Sequence, residues 1–118
     1  MLKRKRKEIS ISIVGCGRVA LHYCKMLKKL KQKYNFKIKG VCDLKFEKAK
    51  EISQILSSIP YTNFNKMLSI TSPDILFVLT PSGTHYSQVK QALNKKINIL
   101  FEKPPTLIPN QFKELVQL

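Results

Sequence analysis

A glycine-containing segment near the amino terminus has the residue types and spacing that phosphate binding requires: Gly15-Cys16-Gly17-Arg18-Val19-Ala20. An alternating apolar run precedes it and a stretch with helical spacing follows, so it is predicted to link a strand to a helix. In such a link, Gly15 permits a tight turn, Gly17 has no Cβ to obstruct a pyrophosphate, and Ala20 lets the helix pack close to the sheet. Free amides at the helix start then face the phosphates of a dinucleotide. The contacts predicted from this segment are Gly15, Cys16, Gly17, Arg18 and Val19.

An acidic residue, Asp43, follows the second predicted strand, at roughly the 20-residue distance from the loop that dinucleotide-binding folds show. There its carboxylate accepts hydrogen bonds from both hydroxyls of an adenosine ribose. The same charge repels a 2′-phosphate, so Asp43 favours NAD over NADP, whereas Lys45 weakens that preference. Because Asp43 directly precedes a predicted helix, the alternative interpretation is a helix cap, and the two roles are compatible. Arg18 either reaches a phosphate oxygen or projects into solvent.

Two further polar segments follow the fourth and fifth predicted strands, where open α/β sheets bind their ligands. They are Thr80-Pro81-Ser82-Gly83-Thr84-His85 and Glu102-Lys103-Pro104. With these segments, the sequence resembles the glucose-fructose oxidoreductase and inositol dehydrogenase family, known as Gfo/Idh/MocA. Members typically carry the glycine loop, the acidic residue, a TPxxxH-like segment and an EKP motif, and this chain has all four in that order.

The resemblance runs from about Ile9 to the end of the chain and implies a Rossmann-type α/β fold, a doubly wound, mostly parallel sheet with helices on both faces. It also implies a bound NAD or NADP and oxidation or reduction at a CH–OH group of a sugar, an inositol or a sugar nucleotide. Since a lone glycine loop and acidic residue also occur in methyltransferases that use S-adenosylmethionine, the EKP segment is the feature that argues against that class.

The resemblance further assigns roles to residues after the fourth and fifth strands. In the family, the lysine of EKP lies beside the nicotinamide and the substrate, so Lys103 is the predicted catalytic residue. A lysine partly desolvated beside a pyridinium ring has a lowered pKa and exchanges a proton with a substrate hydroxyl. Thr80 and Pro81 are expected to border the cofactor, and Glu102 to orient Lys103 or the nicotinamide ribose. His85 is expected near the nicotinamide, with a structural role at a helix start as its alternative.

The chain departs from the family pattern in two respects. Members usually have a glycine and then a histidine before the fifth strand, where this chain has Lys96 and Asn98. A lysine in a left-handed cap costs on the order of 1 kcal/mol. Members also continue into a second α/β domain that supplies most substrate contacts and usually the oligomer interface. We therefore expect the family's substrate domain to be absent from these 118 residues, as in a fragment or a shortened gene product, and expect binding without turnover.

The order of elements expected from the sequence alternates strands and helices, as a parallel sheet with crossover helices requires. Strands are predicted at 9–14, 36–42, near 61, 75–79 and 97–101, helices at 18–31, 46–56 and 84–95, a helical turn at 64–68 and a loop at 72–74. Inward positions are expected in each long helix: Ala20, Cys24, Leu27 and Lys31 in the first, Phe46, Ala49, Ile52 and Leu56 in the second, and Val89, Ala92 and Leu93 in the third. Residues 111–118 also have a helical pattern.

Composition indicates one soluble domain, with a basic tail at residues 1–8 and a dinucleotide-binding domain at 9–118. The net charge of +15 comes from 22 basic and 7 acidic residues, and the tail contains the run Lys3-Arg4-Lys5-Arg6-Lys7. No apolar stretch is long enough for a secretory signal or a bilayer span, so no membrane partner is expected. Three cysteines without a CxxC pair argue against disulfides and metal, and favour a cytoplasmic location.

Two other functions remain open from the residues alone. A non-catalytic module that senses NAD or NADP would use the same glycine loop without Lys103. A nucleic-acid-binding protein would use the basic tail, although no helix-turn-helix or aromatic RNA-binding motif supports it. Apolar surface left without a second domain would favour self-association, so a homo-oligomer is among the expected states.

Overall fold

The computed structural model describes residues 8–80 and 85–101. The strands are β1 Ile9–Val14, β2 Phe36–Cys42, β3 Pro60–Tyr61, β4 Ile75–Val78 and β5 Asn98–Phe101. The helices are α1 Arg18–Leu30, α2 Phe46–Leu56, α3 Phe64–Thr71 and α4 His85–Asn94. The predicted order of elements is confirmed through β5, and the helical pattern predicted at 111–118 lies outside the described residues. The expected turn at 64–68 is a longer helix, since α3 continues to Thr71.

The sheet is parallel, with the strand order β3-β2-β1-β4-β5. Strand order reverses between β1 and β4, and the helices divide between the two faces accordingly. One core cluster joins residues of α1 and α2 to the sheet, and the other joins α3 and α4 to the opposite face. The doubly wound Rossmann-type architecture is thereby confirmed, and its switch point lies at the carboxyl end of β1.

Burial on both faces explains the apolar composition of β4. All four of its residues, Ile75–Val78, are buried, and Phe77 packs edge-to-face on Tyr23 of α1 with the ring centroids 6.2 Å apart. Leu79 is also buried but lies beyond the strand. Strands covered by helices on both faces read as continuous apolar runs, so this element was predictable from sequence.

Three positions expected to face inward are exposed, and the prediction was wrong at each. Phe46 is 49% exposed and is the first residue of α2, where the Cα–Cβ bond tilts toward the open amino-terminal end of the helix. Leu93 is 61% exposed because it lies about 100° around the helix from Ala92, which is fully buried. Lys31 is exposed beyond the end of α1, where Leu30 completes the buried stripe. The side chain of Val89 lies outside the described residues.

A β-bulge in β2 lies next to the glycine against which α3 packs. The pairing of β1 with β2 shifts between Ile11 and Ser12, whose partners are Ile38 and Gly40, so Lys39 is the extra residue. A Cβ on Gly40 would lie 2.9 Å from Tyr61 Cε2 and 3.1 Å from both Met67 Cγ and Thr71 Cγ2. The glycine therefore permits a close approach of α3 that a larger residue would prevent.

The turn between α4 and β5 has the left-handed residue expected from sequence. Lys96 has φ +58°, and its amide donates to Leu93 O while the Ile97 amide donates to Ala92 O. These two bonds form a Schellman motif, which satisfies the last carbonyls of α4. Lysine thus occupies a position at which glycine is unstrained.

Candidate functional site

Gly15 lies at the end of β1 and turns the chain toward α1. It has φ +96°, and its amide donates to Cys42 O at 2.8 Å. A Cβ at this position would lie 2.5 Å from Thr80 N and 2.6 Å from Leu79 C, which is closer than atoms pack. The expected tight turn is present, and a second constraint adds to it, because the backbone after β4 leaves no space for a side chain at residue 15.

Gly17 is the N-cap residue of α1 and is constrained differently. It has φ −87°, a value that other residues adopt, and a Cβ placed on it would meet none of the described atoms within 4 Å. Its carbonyl accepts from the Leu21 amide at 3.2 Å. Within the described chain no side chain caps this helix, and its first turn carries no acidic residue. The glycine therefore borders open space beside uncapped amides, which fits an anion such as a pyrophosphate.

The residues that follow Gly17 divide between solvent and core. Arg18 is exposed, Val19 is half-buried, and Ala20 is buried against the sheet. Ala20 belongs to the core cluster that joins α1 to the sheet, which accords with the need for a small residue at this position.

The Asp43 carboxylate is held by two backbone amides. Cys16 N donates to Asp43 Oδ2 at 2.9 Å, and Lys45 N donates to Asp43 Oδ1 at 2.9 Å. The Asp43 amide donates in turn to Tyr61 O at 3.1 Å. Asp43 is not the N-cap residue of α2, so the interpretation of Asp43 as a helix cap is wrong: the N-cap residue is Lys45. The carboxylate instead binds the glycine loop, which places the acidic residue and the loop at one edge of the sheet.

The thiols at this edge are buried and protonated. Burial, and secondarily the Asp43 charge, raises the pKa of Cys16 from 9.0 to about 12. The same two causes raise the pKa of Cys42 from 9.0 to about 11, and burial also raises the pKa of Cys24. Cys16 Sγ lies 3.4 Å from Cys42 O and donates to it. These thiols are therefore poor nucleophiles at neutral pH.

The remaining predicted site residues divide between described and undescribed parts of the chain. Thr80 is half-buried, and its backbone lies beside Gly15. Pro81, Glu102 and Lys103 lie outside the described residues, as does the side chain of His85, whose backbone begins α4. In the part of the chain that is described, no group of three or more histidine, cysteine or acidic residues could hold a metal ion.

Sequence reasoning missed two features of this edge. Cys16 was expected to contact a ligand, but the bond of its amide to Asp43 was not foreseen, because that bond depends on the register of β1 with β2, which no motif encodes. Leu44, next to Asp43, is 91% exposed. An apolar residue directly after the acidic residue was the available signal for an apolar surface at the site.

Comparison with known proteins identifies the family. The model of an oxidoreductase family with an NAD-binding Rossmann fold, GFO_IDH_MocA, matches residues 9–118. The chain belongs to this family. The predicted resemblance to Gfo/Idh/MocA proteins is confirmed, and the site at the carboxyl edge of the sheet occupies the place where this fold binds nucleotides.

Several family members with assigned activities are similar to the chain. D-glucoside 3-dehydrogenase of Escherichia coli (strain K12) is 25% identical over 113 residues, which cover 91% of this chain and 30% of that protein. The WlbA dehydrogenase of Chromobacterium violaceum, solved in complex with NADH and UDP-GlcNAcA, is 26% identical with a TM-score of 0.77, covering 96% of this chain and 32% of WlbA. For myo-inositol 2-dehydrogenase of Lactobacillus plantarum, the identity is 25%, the TM-score 0.71, and the coverage 94% and 32%.

The chain thus spans about a third of the length of these relatives. Among the described residues, no helix is long and apolar enough to cross a membrane.

Proposed function

We propose that this chain binds a nicotinamide dinucleotide at the carboxyl edge of its sheet, NAD in preference to NADP, as the cofactor-binding part of an oxidoreductase. Its substrate would be a CH–OH group of a sugar, an inositol or a sugar nucleotide. Membership of the family supports the cofactor class. The names of the relatives support the substrate class, since they include a glucoside dehydrogenase and an inositol dehydrogenase. Residues 9–118 would form this domain, with 1–8 as a basic tail.

The pyrophosphate would lie over Gly17, against the amides at the start of α1. Open space at this glycine and the lack of a side-chain cap among the described residues support this placement. Arg18 is exposed at the same helix start and would approach a phosphate oxygen from solvent. Uncapped helix amides and the positive end of the helix dipole favour a bound anion.

The adenosine ribose would bind Asp43, and the position of this carboxylate beside the glycine loop is the observation that carries the proposal. The carboxylate lies one hydrogen bond, 2.9 Å, from the Cys16 amide, so ribose and phosphate sites adjoin as a dinucleotide requires. The adenine would rest on Leu44, whose 91% exposure leaves an apolar surface beside Asp43. A 2′-phosphate placed near the carboxylate would be repelled, whereas the exposed Lys45 would offset part of that repulsion.

A bound nicotinamide would supply the chemistry of hydride transfer. The family resemblance gives Lys103 the task of exchanging a proton with the substrate hydroxyl and places His85 near the nicotinamide. By the same resemblance, Thr80 and Pro81 would border the cofactor, and Glu102 would orient Lys103 or the nicotinamide ribose. The described residues hold the other end of the cofactor. Their part is to bind and orient it, so that the reacting carbon and the nicotinamide reach the separation of about 3 to 3.5 Å that hydride transfer needs.

Titration of the chain with NADH and NADPH, followed by nicotinamide fluorescence, tests the proposal. We expect the chain to bind NADH more tightly than NADPH. We expect Asp43→Ala to weaken NADH binding and to reduce the difference in affinity between NADH and NADPH. Glu47→Ala is the matched control, because Glu47 is an exposed acidic residue in the first turn of α2. Equal affinities for both cofactors in the wild-type chain would contradict the NAD preference.

A further inference from the structure

The end of β2 holds the glycine loop at consecutive residues. The Gly15 amide donates to Cys42 O at 2.8 Å, and the next amide, that of Cys16, donates to Asp43 Oδ2 at 2.9 Å. The first bond continues the ladder between β1 and β2. The second uses a side chain, so substitution at residue 43 can remove it without altering the sheet.

The carboxylate that makes this bond is itself fixed in position. Lys45 N donates to the other oxygen, Asp43 Oδ1, at 2.9 Å, and the Asp43 amide is bound to Tyr61 O at 3.1 Å. With both oxygens bonded and the backbone paired, the side chain has little freedom to rotate. A fixed acceptor orients its donor, so the Cys16 peptide and the adjoining Gly17 take their orientation from Asp43.

We propose that Asp43 is a positioning residue for the phosphate-binding loop as well as a ribose ligand: it holds the Cys16 peptide in the binding geometry before any dinucleotide arrives. The inference rests on the proposed function and deepens it. The two roles use different acceptor positions. An ionised carboxylate has about four lone-pair sites, of which the Cys16 and Lys45 amides use two, so two remain for the ribose hydroxyls.

The positioning role has a consequence that ribose binding alone does not have. Without Asp43 the Cys16 amide loses its partner and the loop samples other conformations, so part of the binding free energy is consumed in ordering it. A ligand that lacks ribose hydroxyls then also binds more weakly. If Asp43 bound only the ribose hydroxyls, its removal would not change the affinity for a compound that lacks those hydroxyls. Asn at position 43 keeps an oxygen acceptor for the Cys16 amide and removes the charge.

The test is calorimetric titration of the full chain with ADP and with 2′,3′-dideoxy-ADP. We expect Asp43→Ala to weaken dideoxy-ADP binding by about tenfold, the size typical of a hydrogen bond to a charged group, and to weaken ADP binding further. Asp43→Asn should retain most of the dideoxy-ADP affinity. Glu47→Ala removes a negative charge from the same edge of the sheet and should not weaken the binding of ADP or of dideoxy-ADP. Unchanged dideoxy-ADP affinity in Asp43→Ala would overturn the positioning role.

Amide hydrogen exchange separates failure of this inference from failure of the proposed function. In the nucleotide-free chain, the Cys16 amide should exchange at least several-fold faster in Asp43→Ala than in the wild type, at matched global stability. If the wild-type chain bound neither ADP nor dideoxy-ADP, the proposed function would fail, and the exchange rates would still decide whether Asp43 holds the loop. Equal exchange rates would overturn the inference.

Discussion

The Gly15 turn lies directly against the backbone of Thr80, so that a Cβ at residue 15 would stand 2.5 Å from the Thr80 amide nitrogen. The contact joins the ends of β1 and β4, the two strands between which the strand order reverses. A site at this point therefore depends on two glycines with different functions. Gly15 is required by the fold, whereas at Gly17 no described atom would meet a Cβ within 4 Å, and the requirement for glycine that we propose there comes from the ligand.

Substitution at Gly15 should destabilise the fold. Gly15→Ala combines φ +96° with a clash against Thr80, and we expect a loss of at least about 2 kcal/mol in the free energy of unfolding. Urea denaturation of the two proteins measures it. Gly17→Ala, the matched control, should change stability by less than about 1 kcal/mol, since its φ is accessible to alanine and space is available. A Gly15→Ala protein as stable as wild type would refute the close contact.

The left-handed Lys96 offers a stabilising substitution. With φ +58°, lysine is strained where glycine is not, so Lys96→Gly should raise the free energy of unfolding by about 0.5 to 1 kcal/mol. Lys95→Gly, one residue earlier, should give no such gain, because added backbone freedom in the unfolded chain destabilises the fold. Thermal denaturation of the two variants makes the comparison. Equal effects of the two substitutions would argue against the Schellman geometry.

The buried hydroxyls of Ser12 and Thr71 should be energetically coupled, so that their substitutions have non-additive effects on stability. Ser12 Oγ donates to Thr71 Oγ1 at 2.9 Å, and Thr71 Oγ1 donates to Met67 O at 2.8 Å. Thr71→Val leaves the Ser12 hydroxyl without its acceptor, which we expect to cost about 1 to 3 kcal/mol. Ser12→Ala with Thr71→Val should cost less than the sum of the single changes, as urea denaturation of all four proteins would show. Additive effects would mean that the two hydroxyls do not interact.

The buried thiols predict loss of stability at alkaline pH. For Cys16 the folded-state pKa is about 12 against an ordinary 9.0, so the folded chain retains a proton that the unfolded chain releases. The contribution of the neutral Cys16 thiol to the free energy of unfolding is complete below about pH 9, and it is lost as the pH rises toward the folded-state pKa. Unfolding free energies measured from pH 8.5 to 10.5 should therefore fall more steeply in the wild type than in Cys16→Ala. Parallel curves would exclude a raised pKa at Cys16.

Sequence patterns determined much of this fold because they report periodicity and turn chemistry. The bounds of β1 and α2 followed from apolar spacing, and β4 from an apolar run that only a doubly covered strand requires. Periodicity identifies a helix's inner stripe less reliably at its ends, so Phe46 and Leu93 were misplaced. The bulge at Lys39 could not be predicted, because no local sequence pattern marks the shift in the pairing of β1 with β2.

For the candidate site, the sequence indicated which residues to consider but not how they contact one another. Gly15, Gly17 and Asp43 were recognised from spacing, and the structure brings them together. The bond between Cys16 and Asp43 joins residues 27 positions apart and depends on how β1 and β2 align. Register is set by the packed faces of a sheet and is not written in a local motif, so this bond required the structure.

Titration of the chain and its Gly17→Val variant with NADH, followed by nicotinamide fluorescence, is the most direct test of a dinucleotide site at this edge. We expect saturable binding by the wild type and none by Gly17→Val, with both proteins folded by circular dichroism, because the valine would fill the space that we assign to the pyrophosphate. Absence of binding by the folded wild-type chain, or equal binding by the folded variant, would contradict it.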